Sequence, residues 1–320
     1  MAPPRCPLAV TPTPMLPMPR LERELGFAPR SLWIKRDDLT GLAGGGNKAR
    51  KLEFLVGDAI ARGCDILLTG GAAQSNHVRM TAAAARIAGM GCVAVLGGTP
   101  PDAPDGNLLL DAMFGVEIVW AENYDAEMVE TVMAETCMRL TSEGRHPYEV
   151  PLGGASEVGT LGYVVAAGEI VTQAPLGSIV YTATGTGGTQ AGLVVGLGHH
   201  GRVRGVDVGA VPDVEARMAG LIAGTASLAR QPMPDGRAQL DRSRAGSGYG
   251  VPTDDLKEAI GLCAHLEGVL LDPVYSAKAM ASLIADRRTG RLLADQPTVF
   301  LHTGGLPSLF ADRYRTWLAA

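Results

Sequence analysis

Short apolar segments alternate with longer segments of helical spacing along most of the chain. The apolar segments, which we predict to be strands, cover residues 32–36, 66–69, 92–96, 116–119, 148–150, 178–182, 203–208, 268–271 and 298–301. The helical segments cover residues 48–59, 125–140 and 157–171, and others begin near residues 75 and 108. Short buried strands between helices are typical of parallel sheets built from βαβ units. The pattern therefore predicts an α/β fold.

Two segments interrupt this alternation. Residues 1–20 are rich in proline, and we expect them to form an extended arm over the surface. Residues 230–250 combine prolines with glycines and are predicted to form a long loop. Loops of that length in compact enzymes are often lids over a site.

Composition limits the possible functions. The 320 residues, 46% hydrophobic and 19% charged, are enough for two domains with a sizeable core. A net charge of -5 argues against a nucleic-acid partner. Five scattered cysteines without a C-x-x-C pair favour reduced thiols, and the N-terminus lacks an apolar signal core, so we expect a cytoplasmic protein. No segment has the length and apolarity of a membrane span.

The most informative segment is a glycine-rich loop that runs into a predicted helix. Lys48 follows Gly44, Gly45, Gly46 and Asn47, which places its amine on the first helical turn beside flexible backbone. The helix dipole and partial burial both disfavour the ammonium form. A neutral amine is what a Schiff-base lysine needs. On this segment alone, an ordinary loop before a helix is the simpler interpretation.

A second glycine-rich segment, residues 184–189, follows a predicted strand. Its small residues allow successive amides to converge on a phosphate, and its three threonines add hydroxyl donors. We therefore favour a phosphate site over a simple turn. A third such segment is residues 302–305. A lysine for an aldehyde and a loop for a phosphate together indicate pyridoxal phosphate (PLP).

Common nucleotide-binding motifs fit less well. A Walker P-loop needs Gly-Lys followed by Ser or Thr, whereas Asn47 precedes Lys48 and Ala49 follows it. A dinucleotide fingerprint needs a third glycine, and residues 185–190 lack it.

The six histidines show no metal-ligand spacing, so we predict no metal site.

Other candidate residues are ambiguous when taken singly. Ser75 is a good N-cap, and the free amides of the helix that it opens form an anion site, suited to a substrate carboxylate. Asn76 would then be free to bind the cofactor, although an ordinary capped helix explains the segment equally well. Tyr249, Tyr275 and Thr303 lie on loops or just after predicted strands, where packing residues are common.

Together these segments resemble the D-cysteine desulfhydrase / 1-aminocyclopropane-1-carboxylate (ACC) deaminase family of fold type II PLP enzymes, the tryptophan-synthase-β-like class. The resemblance runs from about residue 32 to residue 309. Its motifs are Trp33-Ile34-Lys35-Arg36-Asp37-Asp38, Gly45-Gly46-Asn47-Lys48-Ala49-Arg50-Lys51-Leu52-Glu53, Gln74-Ser75-Asn76-His77, residues 184–189, Asp272-Pro273-Val274-Tyr275 and His302-Thr303-Gly304-Gly305. Their presence together and in this order makes the resemblance specific.

The resemblance implies two open, twisted, mainly parallel sheets flanked by helices. It implies a large PLP-binding domain of residues 1–49 and 157–320, with a small domain of residues 50–156 inserted in it. It also implies a homodimer acting on a small amino acid.

The resemblance further implies a role for each candidate residue. Lys48 would carry PLP as a Schiff base, and Lys48, Ser75, Tyr249 and Tyr275 would be catalytic. The cofactor would be held by Lys48, Asn76, Gly185, Thr186, Gly187, Gly188, Thr189, Tyr275 and Thr303. Ser75, Asn76, His77 and Tyr249 would bind the substrate.

Two positions distinguish branches of the family. ACC deaminases carry glutamate and leucine where this chain has Ser276 and Thr303, and the desulfhydrase branch has small hydroxyl residues at both. A threonine facing the pyridine nitrogen gives a weaker electron sink than a carboxylate would, which suits loss of a thiol better than ring opening. We therefore expect β-elimination from D-cysteine to pyruvate, hydrogen sulfide and ammonia. L-cysteate sulfo-lyase activity, ACC deamination and a PLP-binding regulatory protein remain alternatives.

Overall fold

The computed structural model describes residues 4–123, 125–246 and 248–319. The strands are β1 (Met15–Pro17), β2 (Leu32–Arg36), β3 (Ile66–Ala72), β4 (Gly91–Gly97), β5 (Glu117–Ala121), β6 (Pro147–Glu149), β7 (Ile179–Thr184), β8 (Val203–Asp207), β9 (Gln239–Asp241) and β10 (Thr298–His302). The α-helices are α1 (Pro19–Glu24), α2 (Lys48–Ala61), α3 (Asn76–Ile87), α4 (Gly106–Met113), α5 (Ala126–Ser142), α6 (Glu157–Gln173), α7 (Gly188–Leu197), α8 (Val214–Ala229), α9 (Asp254–Glu267), α10 (Ser276–Arg288) and α11 (Asp312–Ala319).

The strands form two sheets. The six-stranded sheet has the order β1-β2-β10-β7-β8-β9, and the four-stranded sheet has the order β5-β4-β3-β6. Only β1 and β2 pair antiparallel, and the other neighbours are parallel. The α/β prediction with two mainly parallel sheets is confirmed. Because parallel strands end at the same edge, the loops after β2, β7, β8 and β10 lie close together.

The central strand β10 shows why the buried strands could be recognised as continuous apolar runs. Phe300 belongs to the apolar cluster on one face of the sheet, whereas Val299 and Leu301 belong to the cluster on the other face. Since helices cover both faces, neither side of the strand needs polar residues.

The strand predicted at residues 268–271 is absent from the structure, so that prediction is wrong. Gly268 is the left-handed C-cap of α9, and the segment after it pairs with no strand. Both edges of β10 are already occupied by β2 and β7. The apolar pattern instead reflects packing, because Val269 and Leu271 are buried while Leu270 is exposed.

The two irregular segments contain more structure than predicted. Within the arm predicted at residues 1–20, β1 pairs with β2 and α1 begins at Pro19, while residues 1–3 lie outside the described part. Within the loop predicted at residues 230–250, β9 extends the six-stranded sheet next to β8. Both added strands have three residues, too few for periodicity to reveal.

Among the helices in the described ranges, none combines the length and the apolarity that a membrane span requires.

Helix α2 is held in place by close packing and by buried charge. A Cβ atom on Gly162 of α6 would lie 2.3 Å from the carbonyl oxygen of Arg50 on α2. The Arg50 guanidinium donates to Asp37 (2.8 Å) and to Glu169 of α6 (2.7 Å). These contacts fix the N-terminus of α2, where Lys48 lies.

We expect Gly162→Ala to reduce the free energy of unfolding by about 1–3 kcal/mol, because the added methyl group meets rigid backbone. Gly168→Ala on the same helix is the matched control, since its Cβ would meet nothing within 4 Å. The control should be neutral or stabilising by about 0.5–1 kcal/mol. Denaturant unfolding of both variants checks this, and equal effects would contradict the close approach of α6 to α2.

Candidate active site

One pocket lies where the ends of β3 and β7 face the N-termini of α2, α3 and α7. It encloses about 780 Å³ including its open mouth. Its lining contains every predicted site residue, namely Lys48, Ser75, Asn76, His77, Gly185, Thr186, Gly187, Gly188, Thr189, Tyr249, Tyr275 and Thr303.

Lys48 lies at the N-terminus of α2 with its amine inside the protein. Its Nζ donates to Asn47 Oδ1 at 3.2 Å and lies 5.9 Å from the centroid of the Tyr275 ring. Burial lowers the pKa of Lys48 to about 8, a shift that Asp272 opposes and Arg79 reinforces. A substantial fraction of this amine is therefore neutral near physiological pH, as a nucleophile requires.

The loop before Lys48 packs backbone to backbone against the loop after β10. Thr40 Oγ1 accepts from Gly46 N and donates to Gly46 O, both at 2.8 Å. Asn47 N donates to the Thr303 carbonyl at 3.0 Å. A Cβ on Gly304 would lie 2.7 Å from Gly46 Cα, so this contact requires glycine. The three glycine-rich segments of the sequence thus meet in one site.

The segment predicted to bind phosphate opens α7. Gly187, at φ 87°, is the N-cap of α7. The first amides of the helix are free at the end that lines the pocket. Asn47 Nδ2 donates to Thr189 Oγ1 at 3.0 Å and ties this segment to the lysine helix.

Lys51 is a site residue that the sequence interpretation missed. It lines the same pocket, and its Nζ lies 2.8 Å from where a Cβ of Gly188 would be. Its Nζ donates to Gly153 O at 3.1 Å, and in the described part of the chain it has no ion-pair partner. Burial and the charge of Lys48 lower its pKa well below the ordinary value. Its spacing from Lys48, one helical turn, was the available signal.

The N-terminus of α3 forms the opposite wall. Ser75 Oγ accepts from Val78 N at 3.2 Å, which confirms the predicted N-cap. The Oδ1 atom of Asn76 accepts from Arg79 Nη1 (3.1 Å) and from Asn107 Nδ2 (3.0 Å).

His77 is held as a neutral ring. Thr69 Oγ1 donates its only proton to Val150 O at 3.0 Å, so the contact of 2.9 Å to His77 requires Nε2 to be the donor. Burial, followed by the charges of Lys48 and Lys51, lowers the pKa of His77 well below its usual value. The ring therefore adds no positive charge to this wall.

Two tyrosines meet over the lysine. The hydroxyl groups of Tyr249 and Tyr275 are hydrogen bonded, and their rings are 6.0 Å apart at 68°. The turn that places Tyr275 is organised by Asp272, which accepts from Tyr275 N at 2.9 Å. Asp272 also accepts from the Ser276 hydroxyl at 2.6 Å. Ser276 therefore directs its hydroxyl at Asp272, while Thr303 lines the pocket.

The loop that carries Tyr249 is tied down at both ends. Lys278 Nζ donates to Ala245 O at 2.8 Å and to Val208 O at 3.2 Å. The Tyr314 hydroxyl donates to Gly250 O at 2.8 Å.

Comparison with known proteins agrees with this geometry. The family model described as pyridoxal-phosphate dependent enzyme matches residues 7–304. The D-cysteine desulfhydrases of Salmonella typhi and Salmonella schwarzengrund are 44% and 43% identical, each alignment covering 96% of this chain and 96% of the relative. A solved structure described as an ACC deaminase homologue has a TM-score of 0.91 and 38% identity, covering 99% of this chain and 95% of that chain. A PLP-dependent aspartate racemase, with a TM-score of 0.64 and 18% identity, covers 92% of this chain and 90% of that chain and shares the fold.

The chain belongs to the pyridoxal-phosphate dependent enzymes of fold type II. Within them it belongs to the family that contains D-cysteine desulfhydrases and ACC deaminase homologues, as the motifs predicted. PLP is its cofactor.

The buried amine of Lys48 has a measurable effect on stability. In cofactor-free protein, the folded state releases the Lys48 proton near pH 8, whereas the unfolded chain retains it up to the ordinary value of 10.5. The contribution of this group to stability therefore rises with pH across that window. We expect cofactor-free Lys48→Met to be more stable than the wild type at pH 7 by about 3 kcal/mol, with the difference shrinking towards pH 10.

Chemical unfolding at a series of pH values measures this difference. Lys257→Met, at a partly exposed position on α9, controls for the loss of a lysine as such. A destabilised Lys48→Met protein, with a difference that does not vary with pH, would show that the amine is well solvated.

Proposed function

We propose that this protein is a PLP-dependent carbon–sulfur lyase that converts D-cysteine and water into pyruvate, hydrogen sulfide and ammonia. The observation that carries the proposal is a half-buried lysine, Lys48, with a desolvated amine, in a pocket that the N-termini of α3 and α7 also line. The relatives named D-cysteine desulfhydrase, 44% identical over 96% of the chain, support the choice of substrate.

The residues around α7 fit the phosphate of PLP. We assign the phosphate to Gly185, Thr186, Gly187, Gly188 and Thr189, and we add Lys51 to this group. A buried ammonium without a carboxylate partner is costly, and a phosphate dianion beside it would remove that cost. The glycine at 188 leaves the space in which the Lys51 amine approaches the loop.

The remaining cofactor contacts follow from the pocket walls. We assign the Schiff-base linkage to Lys48 and contacts with the ring to Asn76, Tyr275 and Thr303. The bound cofactor supplies a sink for the negative charge that develops at the substrate Cα. Thr303 would face the cofactor ring with a hydroxyl group in place of a carboxylate, which would suit departure of a good leaving group.

The substrate is assigned to the wall formed by α3. The free amides of Asn76 and His77 at the helix N-terminus would donate to the substrate carboxylate. Ser75 N already donates to Ala72 O, so Ser75 would contribute its hydroxyl group. Tyr249 would approach the substrate from the opposite side. The freed amine of Lys48 would take the Cα proton, the Cβ–S bond would break with its electron pair on sulfur, and water would complete the conversion to pyruvate and ammonia.

ACC ring opening is the second candidate function, because the structure described as an ACC deaminase homologue superimposes with a TM-score of 0.91. Two positions favour elimination instead. By the resemblance described above, ACC deaminases would have leucine at the position of Thr303 and glutamate at the position of Ser276. The Ser276 hydroxyl accepts from Asp272 N and donates to the Asp272 carboxylate, which closes the turn before α10. A glutamate could not form these hydrogen bonds without moving the turn.

We propose further that the two sheets correspond to two domains, residues 1–49 with 157–320 and residues 50–156. We also propose that the protein is a homodimer in the cytoplasm. Size-exclusion chromatography with light scattering tests the dimer.

Substrate choice can be tested by product assay of the PLP-loaded protein. We expect pyruvate and sulfide in equal amounts from D-cysteine, at a kcat/KM at least about tenfold above that for L-cysteine, a difference of about 1.4 kcal/mol in transition-state binding. ACC should give little or no ketobutyrate. Faster turnover of ACC than of D-cysteine would refute the assignment, whereas sulfite release from L-cysteate alone would overturn only the substrate.

The phosphate assignment can be tested without turnover. Lys51→Met should weaken PLP binding by about 10- to 100-fold, because a charged hydrogen bond is worth about 1.5–3 kcal/mol. Inorganic phosphate should raise the melting temperature of the cofactor-free wild type and not that of Lys51→Met. Lys257→Met is the control for loss of a positive charge. Equal protection of both proteins by phosphate would place the anion elsewhere.

A further inference from the structure

The side chain of Arg79 on α3 is completely buried and joins three segments of the pocket wall. Its Nη1 donates to Asn107 Oδ1 at 2.7 Å and to Asn76 Oδ1 at 3.1 Å. Its Nη2 donates to Gly45 O, three residues before Lys48, at 3.0 Å. Within the described ranges no carboxylate lies within ion-pair distance of Arg79, although the charge of the buried Asp111 acts on it, so these hydrogen bonds are its direct polar contacts.

The chemistry of the guanidinium fixes the orientation of two amides. Arginine has only donors, so the atoms facing Arg79 must be the oxygens of Asn76 and Asn107. Asn107 therefore turns its Nδ2 group to the Asn76 oxygen, at 3.0 Å. With two donors on its Oδ1, Asn76 can offer the pocket only its Nδ2 amino group.

We propose that Arg79 is a positioning residue that holds Asn76 as a hydrogen-bond donor towards the phenolic oxygen of PLP. The inference rests on the proposed function, which assigns Asn76 to the cofactor ring. The phenolic oxygen is an acceptor, so a flipped Asn76 would set two oxygen atoms against each other. Asn107 contributes the second donor and links the arrangement to α4.

This positioning has a spectroscopic consequence. A donor at the phenolic oxygen favours its anionic form, and so lowers the pKa of the proton shared between that oxygen and the cofactor-bound nitrogen of Lys48. The pH midpoint of the absorption change of bound PLP reports that pKa. Loss of the aligned donor should raise the midpoint.

Other charged groups near Arg79 determine which variant is informative. Lys48 and Lys51 lie on α2, Asp272 precedes α10, and Asp111 faces Arg79 from α4. Burial raises the pKa of Asp111 to about 7 although Arg79 lowers it, so removing the Arg79 charge would also change Asp111. Arg79→Lys retains a basic side chain and removes the planar fork, whereas Asn107→Ala leaves Arg79 itself in place and therefore isolates the effect of orientation.

The test measures the pH midpoint and the PLP dissociation constant of Arg79→Lys. We expect the midpoint to rise by about one pH unit and PLP binding to weaken about tenfold, the size of one hydrogen bond. Arg86→Lys, on the last turn of the same helix, is the matched control because its exposed side chain donates only to Gly115 O. The control should match the wild type.

A double-mutant cycle separates positioning from general disturbance of the site. If Arg79 acts through Asn76, adding Arg79→Lys to Asn76→Ala should shift the midpoint by less than about a third of its shift in the wild type. A full shift in the Asn76→Ala background would mean that Arg79 acts through Gly45 or by charge, and would overturn the proposal. An unchanged midpoint in Arg79→Lys alone would overturn it as well.

Asn107→Ala keeps the test decisive should Arg79→Lys fail to fold. This variant removes one of the two donors to Asn76 and should raise the midpoint by less than Arg79→Lys would, and no shift would contradict the proposal. Measurements on the wild type separate the role of Arg79 from the proposed function. If the wild type shows a normal cofactor band and normal D-cysteine turnover but the variants show no shift, only the role of Arg79 is overturned. If the wild type shows neither the cofactor band nor D-cysteine turnover, the proposed function is overturned.

Discussion

The site depends on two desolvated amines that form no ion pair with a carboxylate in the described part of the chain. Lys48 and Lys51 lie on the first turn of α2, and burial lowers the pKa of both. Desolvating an ammonium costs several kcal/mol unless an anion compensates it. The rest of the structure keeps these amines in place, since Arg50 fixes α2 through Asp37 and Glu169. In the proposed assignment, PLP would provide an aldehyde for Lys48 and a phosphate for Lys51.

The pocket around these amines is built by close approach of backbone segments. Gly304 meets Gly46 so closely that a methyl group would lie 2.7 Å from a Cα atom, and a Cβ on Gly305 would lie 2.5 Å from Asp272 Cγ. Asp272 in turn holds the turn that carries Tyr275. The glycine-rich segments therefore serve two purposes, exposing amides to an anion and letting the loops from distant parts of the chain meet.

Much of this could be predicted because the signals were local or highly specific. Strands with both faces buried, such as β10, have a continuous apolar centre, here residues 299–301, and Ser75 caps α3 as its residue type predicts. Residues 268–271 show the limit: their apolar pattern arises from packing, and only the pairing of β10 with other strands reveals that no place in the sheet remains. The role proposed for Arg79 was out of reach, because its partners Asn107 and Gly45 come from distant segments. For Lys51 the spacing from Lys48 was the only signal, because the Gly153 carbonyl to which it donates is also distant in the sequence.

We propose that Lys48, rather than Lys51 one turn further along α2, carries the cofactor. Borohydride reduction of the PLP-loaded protein, followed by digestion and mass spectrometry, identifies the lysine that forms the linkage. We expect a single phosphopyridoxyl group on the peptide containing Lys48 and an unmodified Lys51. A label on Lys51, or on a lysine outside the pocket such as Lys257, would contradict it.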